Sequence, residues 1–322
     1  MIRNILYLLW ERIVLLFIIS VIGHAVIHLA PGEPSEVDPF NPMMKAADIE
    51  KIRGAFHLDE PLWKQYTLWI GDLARGELRS FKDGQPVLSK IWQRFLNSLP
   101  LFIVSTLLVW TISFPIGIHA ALTRGSLGDR ISNLTAWGLI SIPGFVLAYL
   151  LILGIVESAG VPVIGRHTFG NEGAPLWFSI IDLMWHITPI SLMMAVLGIA
   201  TLSRYARSQM LDVIEADYVR TARAKGLDES VVIYRHALRN ALLPFITMFG
   251  LMVPGLVGGS VIIETIFAWP GIGRLAYEAI LSRDYPIILT VNLLAAVLTL
   301  IGILISDILY AVADPRIRYR TG

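Results

Sequence analysis

The stretch Leu99–Leu122 reads LPLFIVSTLLVWTISFPIGIHAAL and contains no Asp, Glu, Lys or Arg. An α-helix rises 1.5 Å per residue, so a helix of this length crosses a hydrocarbon core of about 30 Å. A strand of a membrane barrel needs only about 9–11 residues and alternates polar with apolar side chains. This stretch is far longer than such a strand and does not alternate polar with apolar side chains, so it predicts a membrane-spanning helix.

Five further stretches of the chain share this apolar character. Of the 322 residues, 55% are hydrophobic and only 16% are charged, whereas a soluble domain carries about 25% charged residues. The sequence thus predicts an all-α integral membrane protein with about six transmembrane helices. The five additional predicted spans are Ile13–Ala30, Ile131–Val156, Leu183–Ser203, Leu242–Ile263 and Pro286–Ser306.

The first apolar stretch also has to be weighed as a signal peptide, because Arg3 and Arg12 precede it. It is longer than the apolar region of a signal peptide, which spans about 7–15 residues. We therefore interpret it as a retained helix, with cleavage near Ala25–Ala30 as the alternative. The net charge of +1 argues against a nucleic-acid partner.

Basic residues concentrate in alternate connections between the predicted spans, and the positive-inside rule places those connections in the cytoplasm. They are the N-terminus, the segment 123–130, the segment 204–240 and the tail with Arg316, Arg318 and Arg320. Both termini are accordingly predicted to be cytoplasmic. The predicted organisation is a first segment 1–30, an extracytoplasmic loop 31–97, a core 98–312 containing a cytoplasmic loop 204–241, and a tail 313–322.

The first outer loop contains several helical signals. Asp48 is placed to cap a short helix through Ala55, and Pro61 opens a longer one. Lys82-Asp83-Gly84 predicts a turn. An amphipathic piece over Pro86–Phe95 is predicted to lie at the membrane surface before the second span.

The segment Asp217–Leu227, with sequence DYVRTARAKGL, predicts a short cytoplasmic helix ended by Gly226. Lys225 lies in its favourable last turn, and a second helical stretch from near Ser230 leads into the fifth span. Small residues such as Ala222 permit close packing. The segment suits docking into a groove of a partner, and the alternative is an ordinary basic loop held by lipid phosphates.

This segment resembles the coupling loop of binding-protein-dependent ABC transporter permeases of the oligopeptide/dipeptide/nickel branch. The general pattern of that family is Glu-Ala-Ala, three residues, Gly and a later Pro that opens the next span. Thr221, Ala222 and Gly226 fall on the pattern, and Pro244 matches the later Pro. Arg220 stands where the general pattern has Glu, and the interval from Gly226 to Pro244 is longer than in sugar permeases; both departures resemble the peptide branch.

The resemblance covers nearly the whole chain, and the long outer loop is similar to that of the first of the branch's two permease subunits. Segments 204–211, 264–273, 283–286 and 314–319 also look like this branch. The resemblance implies a type I ABC importer permease fold in the bacterial cytoplasmic (inner) membrane. It implies a heterodimer with a second, homologous permease, two cytoplasmic ATP-binding subunits or domains, and an extracytoplasmic solute-binding protein.

The chain has no Gly-x-x-x-x-Gly-Lys-[Ser/Thr] loop for cradling ATP. Binding and hydrolysis of ATP with Mg²⁺ are therefore expected in partner subunits, with no cofactor bound by this chain. The resemblance assigns coupling to the ATPases to one set of residues: Asp217, Tyr218, Thr221, Ala222, Ala224, Lys225, Gly226 and Leu227.

A second set of residues is predicted to line the pathway or its outer gate. Glu264 is an acid near the outer end of the fifth span, where a charge costs on the order of 2.5–3.5 kcal/mol on insertion scales. The alternative is a structural acid, with Arg274 as its partner. Gly255 and Gly258 accompany a break in the fifth span, and the turn Trp269-Pro270-Gly271 suits the outer gate.

Two other classes of protein remain as alternatives. A secondary transporter or channel would work without ATP and often shows inverted repeats, but no repeat is visible. A membrane enzyme would need convergent titratable groups within the spans, and these are scarce. His24 and His28 have a spacing that permits metal contact, but helix packing explains them better. We assign no catalytic, cofactor or metal residues.

Overall fold

The computed structural model describes residues 2–29, 53–54, 57–160, 163–168, 170, 175–258 and 261–313; side chains at 2–9, 159 and 258 lie outside this description. The described helices, in chain order, are α1 (Ile2–Leu29), α2 (Leu62–Arg75), α3 (Val87–Leu122), α4 (Leu127–Ser141), α5 (Gly144–Ala159), α6 (Leu176–Ile214), α7 (Asp217–Ala224), α8 (Glu229–Val231), a π-helical segment (Val232–Ala237), α9 (Leu238–Ala241), α10 (Leu243–Met252), α11 (Gly255–Gly258), α12 (Val261–Ile266), α13 (Ile272–Ser282) and α14 (Tyr285–Ala313).

The helices confirm an all-α membrane protein. Within the described ranges, four helices are long and apolar enough to cross a membrane: Trp10–Leu29 of α1, α3, α6 and α14. Two bent pairs, α4 with α5 and α10 with the helical stretch that follows it, raise the number to as many as six if each pair is one span. The prediction of about six spans agrees with this range.

The predicted amphipathic piece over Pro86–Phe95 forms the first turns of α3, which runs without interruption from Val87 through the second span. On its apolar side Val87 and Ile91 are buried, whereas Trp92 is 60% exposed. A continuous helix also keeps its backbone groups hydrogen-bonded through the membrane. Pro100 and Pro115 lie inside the helix without ending it.

The predicted third span, Ile131–Val156, is not one straight helix. It is broken into α4 and α5, which are bent by 98°. Pro143 lacks the backbone N–H that would continue the helix and restricts the residue before it to extended conformations. Ile142 adopts that conformation, with φ −92° and ψ 126°. The Pro143-Gly144 pair therefore makes a sharp break.

The fourth predicted span, Leu183–Ser203, is shorter than the helix that contains it. α6 starts at Leu176 and continues to Ile214, well into the predicted cytoplasmic loop. Buried Ala206 and Met210 explain the extension, because they keep one side of the helix packed beyond the membrane. The sixth predicted span lies within α14, which extends it at both ends.

The outer segment confirms the longer predicted helix and the turn. α2 follows Pro61 and ends at Gly76, which has φ +73°. Gly84, in the predicted turn, has φ +66°. The short helix predicted over 48–55 lies outside the described residues except at 53–54.

The chain divides into two compact units. Unit 1 comprises Met1–Ser98, Val253–Val261 and Pro270–Ile301, and unit 2 comprises Leu99–Met252, Ile262–Trp269 and Gly302–Gly322. In unit 1, α1 packs on α2: the His24 ring contacts the Leu62 carbonyl at 3.2 Å, and the His28 ring contacts Gln65 Oε1 at 2.9 Å. These contacts support helix packing as the role of both histidines.

Candidate coupling site

The short helix α7 lies where the sequence predicts it. Asp217 occupies its first turn, where an acid is favourable. After the helix ends, the Lys225 N–H donates to the Thr221 carbonyl at 3.1 Å and the Gly226 N–H donates to the Arg223 carbonyl at 2.9 Å. Gly226 has φ +74°, a conformation that favours glycine. The predicted stop at Gly226 is therefore confirmed.

One side of α7 packs against its own chain. Val219 is fully buried and Ala222 is 6% exposed. They belong to an apolar cluster completed by Ala121, Met210, Val232, Ala237 and Ala241. Ala222, predicted as a coupling residue, therefore anchors the helix to unit 2.

The other side of α7 and the turn that follows it are exposed and carry most of the predicted coupling residues. Tyr218 is 44% exposed and Leu227 is 42% exposed. Residues three or four apart share a helix face, which places Thr221 beside both Tyr218 and Ala224. The exposed predicted residues, which we call the coupling face, are Asp217, Tyr218, Thr221, Ala224, Lys225, Gly226 and Leu227.

An ion pair fixes the turn that follows the coupling face. Arg223 donates from Nη2 to Glu229 Oε1 at 2.7 Å and from Nε to Oε2 at 3.1 Å. These hydrogen bonds hold the pKa of Glu229 below its usual value and raise the pKa of Arg223. Asp228 accepts from the Ser230 N–H at 2.8 Å and so caps α8. The start predicted near Ser230 for the second helix is confirmed.

The sequence did not predict the π-helical turn over Val232–Ala237. Such turns are rare and occur often at functional sites. Tyr234, within the turn, is 61% exposed, and Val231 just before it is 36% exposed. Both are exposed apolar residues in or next to the π-helical segment, which packs against α7. The only sequence signal for this surface was an aromatic residue within a basic segment.

A partly buried ion pair between α4 and α6 was also missed. Arg207 of α6 donates to Asp129 of α4 from Nε at 2.6 Å and from Nη2 at 2.9 Å. Asp129 also accepts from the Gly125 N–H at 2.9 Å and from Asn133 Nδ2 at 2.7 Å. The pair ties the end of α6, which leads into α7, to the start of α4. A separation of 78 residues hides it from any local pattern.

Two predicted outer-gate residues lie in the interior of unit 2. Glu264 and Trp269 are both fully buried. Trp269 packs in an apolar cluster with Leu101 and Ile190. Its backbone N–H donates to the backbone carbonyl of Glu264 at 2.8 Å. Because both residues are buried, they suit a role in supporting a gate from within the protein better than a role in contacting the solute.

The remaining predicted pathway residues lie in unit 1. The Pro270 carbonyl accepts from Asn97 Nδ2 at 2.8 Å, and Gly271 precedes α13. Gly255 and Gly258 begin and end α11, which packs against α13. Arg274 pairs with Glu278 at 2.7 Å, and its pairing with Glu264 stays a prediction, as does the pathway role of all six residues.

Among the described residues, no group of three or more His, Cys, Asp or Glu side chains is placed to hold a metal ion.

The comparisons with known proteins agree with the membrane-spanning fold and show a membrane-embedded permease. A family model described as "Binding-protein-dependent transport system inner membrane component" matches residues 113–319. The oligopeptide transport system permease protein AppB of Bacillus subtilis (strain 168) is 40% identical over 304 residues, covering 94% of each chain. The glutathione transport system permease protein GsiC of Escherichia coli (strain K12) is 37% identical over 309 residues, covering 95% of each.

A solved structure of the MetNI methionine ABC transporter in inward-facing conformations matches with a TM-score of 0.53. The match covers 71% of this chain and 99% of that one at 19% identity, and it supports the fold alone. The chain belongs to the family of inner membrane components of binding-protein-dependent transport systems, the permeases of ABC importers. Family membership confirms the resemblance and does not favour a secondary transporter or channel.

Proposed function

We propose that this permease forms half of the translocation pathway of an ATP-driven importer of di- or oligopeptides, or of a related small solute. The observation that carries the proposal is the two-sided helix α7. Val219 and Ala222 pack it against the rest of unit 2, while Tyr218 on the helix and Leu227 just after it are exposed. A helix that is anchored on one side and exposed on the other suits docking into a partner's groove.

The partner at this face is one of two cytoplasmic ATPase subunits or domains. These partners bind ATP and Mg²⁺ and hydrolyse ATP, while this chain binds no cofactor and catalyses no reaction. A rigid connection is needed to transmit their movement to the spans. The Arg207–Asp129 pair supports this, because it joins the helix leading into α7 to the start of α4.

The proposed orientation has both termini and the coupling face in the cytoplasm of a bacterial cell, with the chain in its cytoplasmic membrane. The excess of Arg and Lys in 204–240 supports it. A second, homologous permease completes the pathway as a heterodimer, and an extracytoplasmic binding protein delivers the solute. The division into segments 1–30, 31–97, 98–312 and 313–322 is part of this proposal.

The names of the relatives support the class of solute. AppB belongs to an oligopeptide transport system and GsiC to a glutathione transport system. Oligopeptides and glutathione share amide-linked amino acids. We infer that the solute of this importer belongs to the same chemical class.

The test is uptake by proteoliposomes that contain this chain, its second permease, the ATPases and the binding protein. A labelled oligopeptide should accumulate only with ATP inside and the binding protein outside. Omission of the binding protein is the control and should abolish uptake. Uptake driven by an ion gradient without ATP would contradict the proposal.

A further inference from the structure

Unit 2 contains an apolar groove near the start of the fifth span. Its volume is about 820 Å³, within the range of about 300–1,000 Å³ typical of ligand pockets. Its walls come from α3, from α9 and α10, and from the end of α14. The apolar wall side chains include Trp110, Phe114, Leu242, Phe245, Phe249 and Leu309.

The groove offers almost no polar group to an occupant. Trp110 donates its indole N–H to the sulfur of Met252 at 3.3 Å, so this polar atom is engaged by the protein. A peptide in the groove would leave amide groups without partners, and burying an unpaired amide costs on the order of several kcal/mol. Hydrocarbon chains carry no such penalty, and the groove therefore suits acyl chains better than the transported solute.

One charge lies at the edge of this groove. Arg239 is the charged residue among the described residues that line it, and none of those is acidic. Within the described part of the chain, its hydrogen bond is a long one, 3.5 Å from Nη2 to the Ala313 carbonyl at the end of α14. The guanidinium carries five N–H donors in a geometry that matches phosphate, and most of them make no hydrogen bond to the described residues.

We propose that this groove binds an anionic phospholipid, with acyl chains along the aromatic wall that contains Trp110 and Phe249 and the phosphate on Arg239. The proposal rests on the orientation given above, which puts Arg239 at the cytoplasmic surface. Basic pockets between spans on that side bind anionic lipid head groups. The combination of an apolar groove with a single cation at its end matches the two parts of a phospholipid.

Fluorescence quenching by brominated lipids tests the proposal on the complete transporter complex. Trp110 lies in the groove, and subtracting the Trp110→Phe signal isolates its emission from that of the other tryptophans. Brominated phosphatidylglycerol should quench this emission with an apparent affinity about fivefold higher than brominated phosphatidylcholine, as about 1 kcal/mol per basic residue at an anionic surface requires.

Two matched variants test whether Arg239 causes the preference for phosphatidylglycerol over phosphatidylcholine. Arg239→Gln should remove it, while Arg235→Gln, an exposed arginine that does not line the groove, should retain it. Equal quenching by the two lipids in the unaltered complex would overturn the proposal without need of a variant. Absence of quenching by either lipid would also overturn it, since a protein surface, such as the second permease, would then fill the groove. Peptide uptake measured in parallel separates these outcomes from a failure of the proposed function.

Discussion

Arg207 holds Asp129 in a two-point ion pair, with Nε to Oδ1 at 2.6 Å and Nη2 to Oδ2 at 2.9 Å. The Asp129 side chain is only 5% exposed and that of Arg207 is 24% exposed. The pair connects the extension of α6 beyond the membrane to the broken helix pair α4 and α5. In the proposed coupling mechanism, this pair transmits a movement of α7 to the spans.

Removing one member of this pair is expected to destabilise unit 2, most of all when Arg207 is removed, because the Asp129 carboxylate then stays buried without its ion-pair partner. Arg207→Gln should lower the free energy of unfolding by about 3–5 kcal/mol, and Asp129→Asn, which leaves a partly exposed guanidinium, should lower it by less. The double variant should be no less stable than the worse single one. Thermal unfolding of the purified complex, followed by tryptophan fluorescence, measures the effect.

The exposed pair Arg124 and Glu215 is the control for that experiment, since both side chains are about two-thirds exposed, at 65% and 66%. Exposed ion pairs contribute about 0–1 kcal/mol, so Glu215→Gln should leave the unfolding temperature nearly unchanged. Equal losses at Glu215 and at Asp129 would show that the buried pair has no special role.

Helices α3 and α6 approach most closely at Gly117, next to the same ion pair. A Cβ placed on Gly117 would collide with the Ser203 carbonyl and come within 2.7 Å of the Ala206 Cβ and 3.0 Å of the Arg207 N. Gly117→Ala should therefore force the helices apart and cost about 1–3 kcal/mol. Gly138 in α4 has no such neighbour, so Gly138→Ala should be neutral or stabilising. A Gly117→Ala variant as stable as the unaltered protein would contradict the close approach of the two helices.

Asp284 fixes the outer segment of unit 1. It is 2% exposed, and it accepts hydrogen bonds from the Ser80 hydroxyl and, at 3.1 Å, from the Phe81 N–H. Asp284→Ala removes the buried acceptor of both hydrogen bonds, at a cost of about 1–3 kcal/mol. We expect faster proteolysis of the predicted extracytoplasmic segment in this variant. Asp72→Asn, which affects an exposed pair with Arg75, is the control and should not change the rate.

Gly226 tests the geometry of the coupling turn. Its φ of +74° strains most side chains, by roughly 1–2 kcal/mol, whereas Asn tolerates this conformation. Gly226→Val should leave membrane insertion intact but separate ATP hydrolysis from peptide uptake. Gly226→Asn should preserve the ratio of peptides transported to ATP hydrolysed. A normal ratio in the Val variant would contradict a role for the turn in coupling.

Variants of Glu264 distinguish a structural role of this residue from a role in the solute pathway. The side chain is fully buried, so we expect Glu264→Gln, which preserves its size and hydrogen-bonding capacity, to fold and transport. Glu264→Leu removes that capacity and should reduce the amount of folded protein in the membrane. If Glu264→Gln folds normally but loses uptake, the carboxylate acts on the solute and the structural interpretation is wrong.

Local patterns in the sequence were sufficient for several elements of the fold. Composition and run length predict the spans, because the bilayer demands long apolar helices. Pro61 predicts the start of α2, and Gly226 predicts the end of α7, since each residue restricts the backbone by its own chemistry. Helical spacing shows which residues of α7 share a side of the helix. Which side is buried becomes clear only once the packing of α7 in the cluster that contains Met210 is known.

Other features depend on contacts between distant parts of the chain. The partners Asp129 and Arg207 belong to separate helices, and no local spacing connects them. Pro143 ends a helix whereas Pro100 does not, although each lies in an apolar run. The difference depends on whether neighbouring helices satisfy the freed backbone groups, which a single sequence does not reveal.

The most direct test of the central claim is site-specific cross-linking from the coupling face. The chain has no cysteine, so Thr221→Cys provides a single attachment point for a photoactivatable reagent in the assembled complex. Ser158→Cys, exposed at the far end of α5, is the matched control. We predict an adduct between Thr221→Cys and an ATPase subunit, and none from Ser158→Cys. Adducts only with lipid or other proteins at position 221, or equal adducts from both positions, would contradict the account.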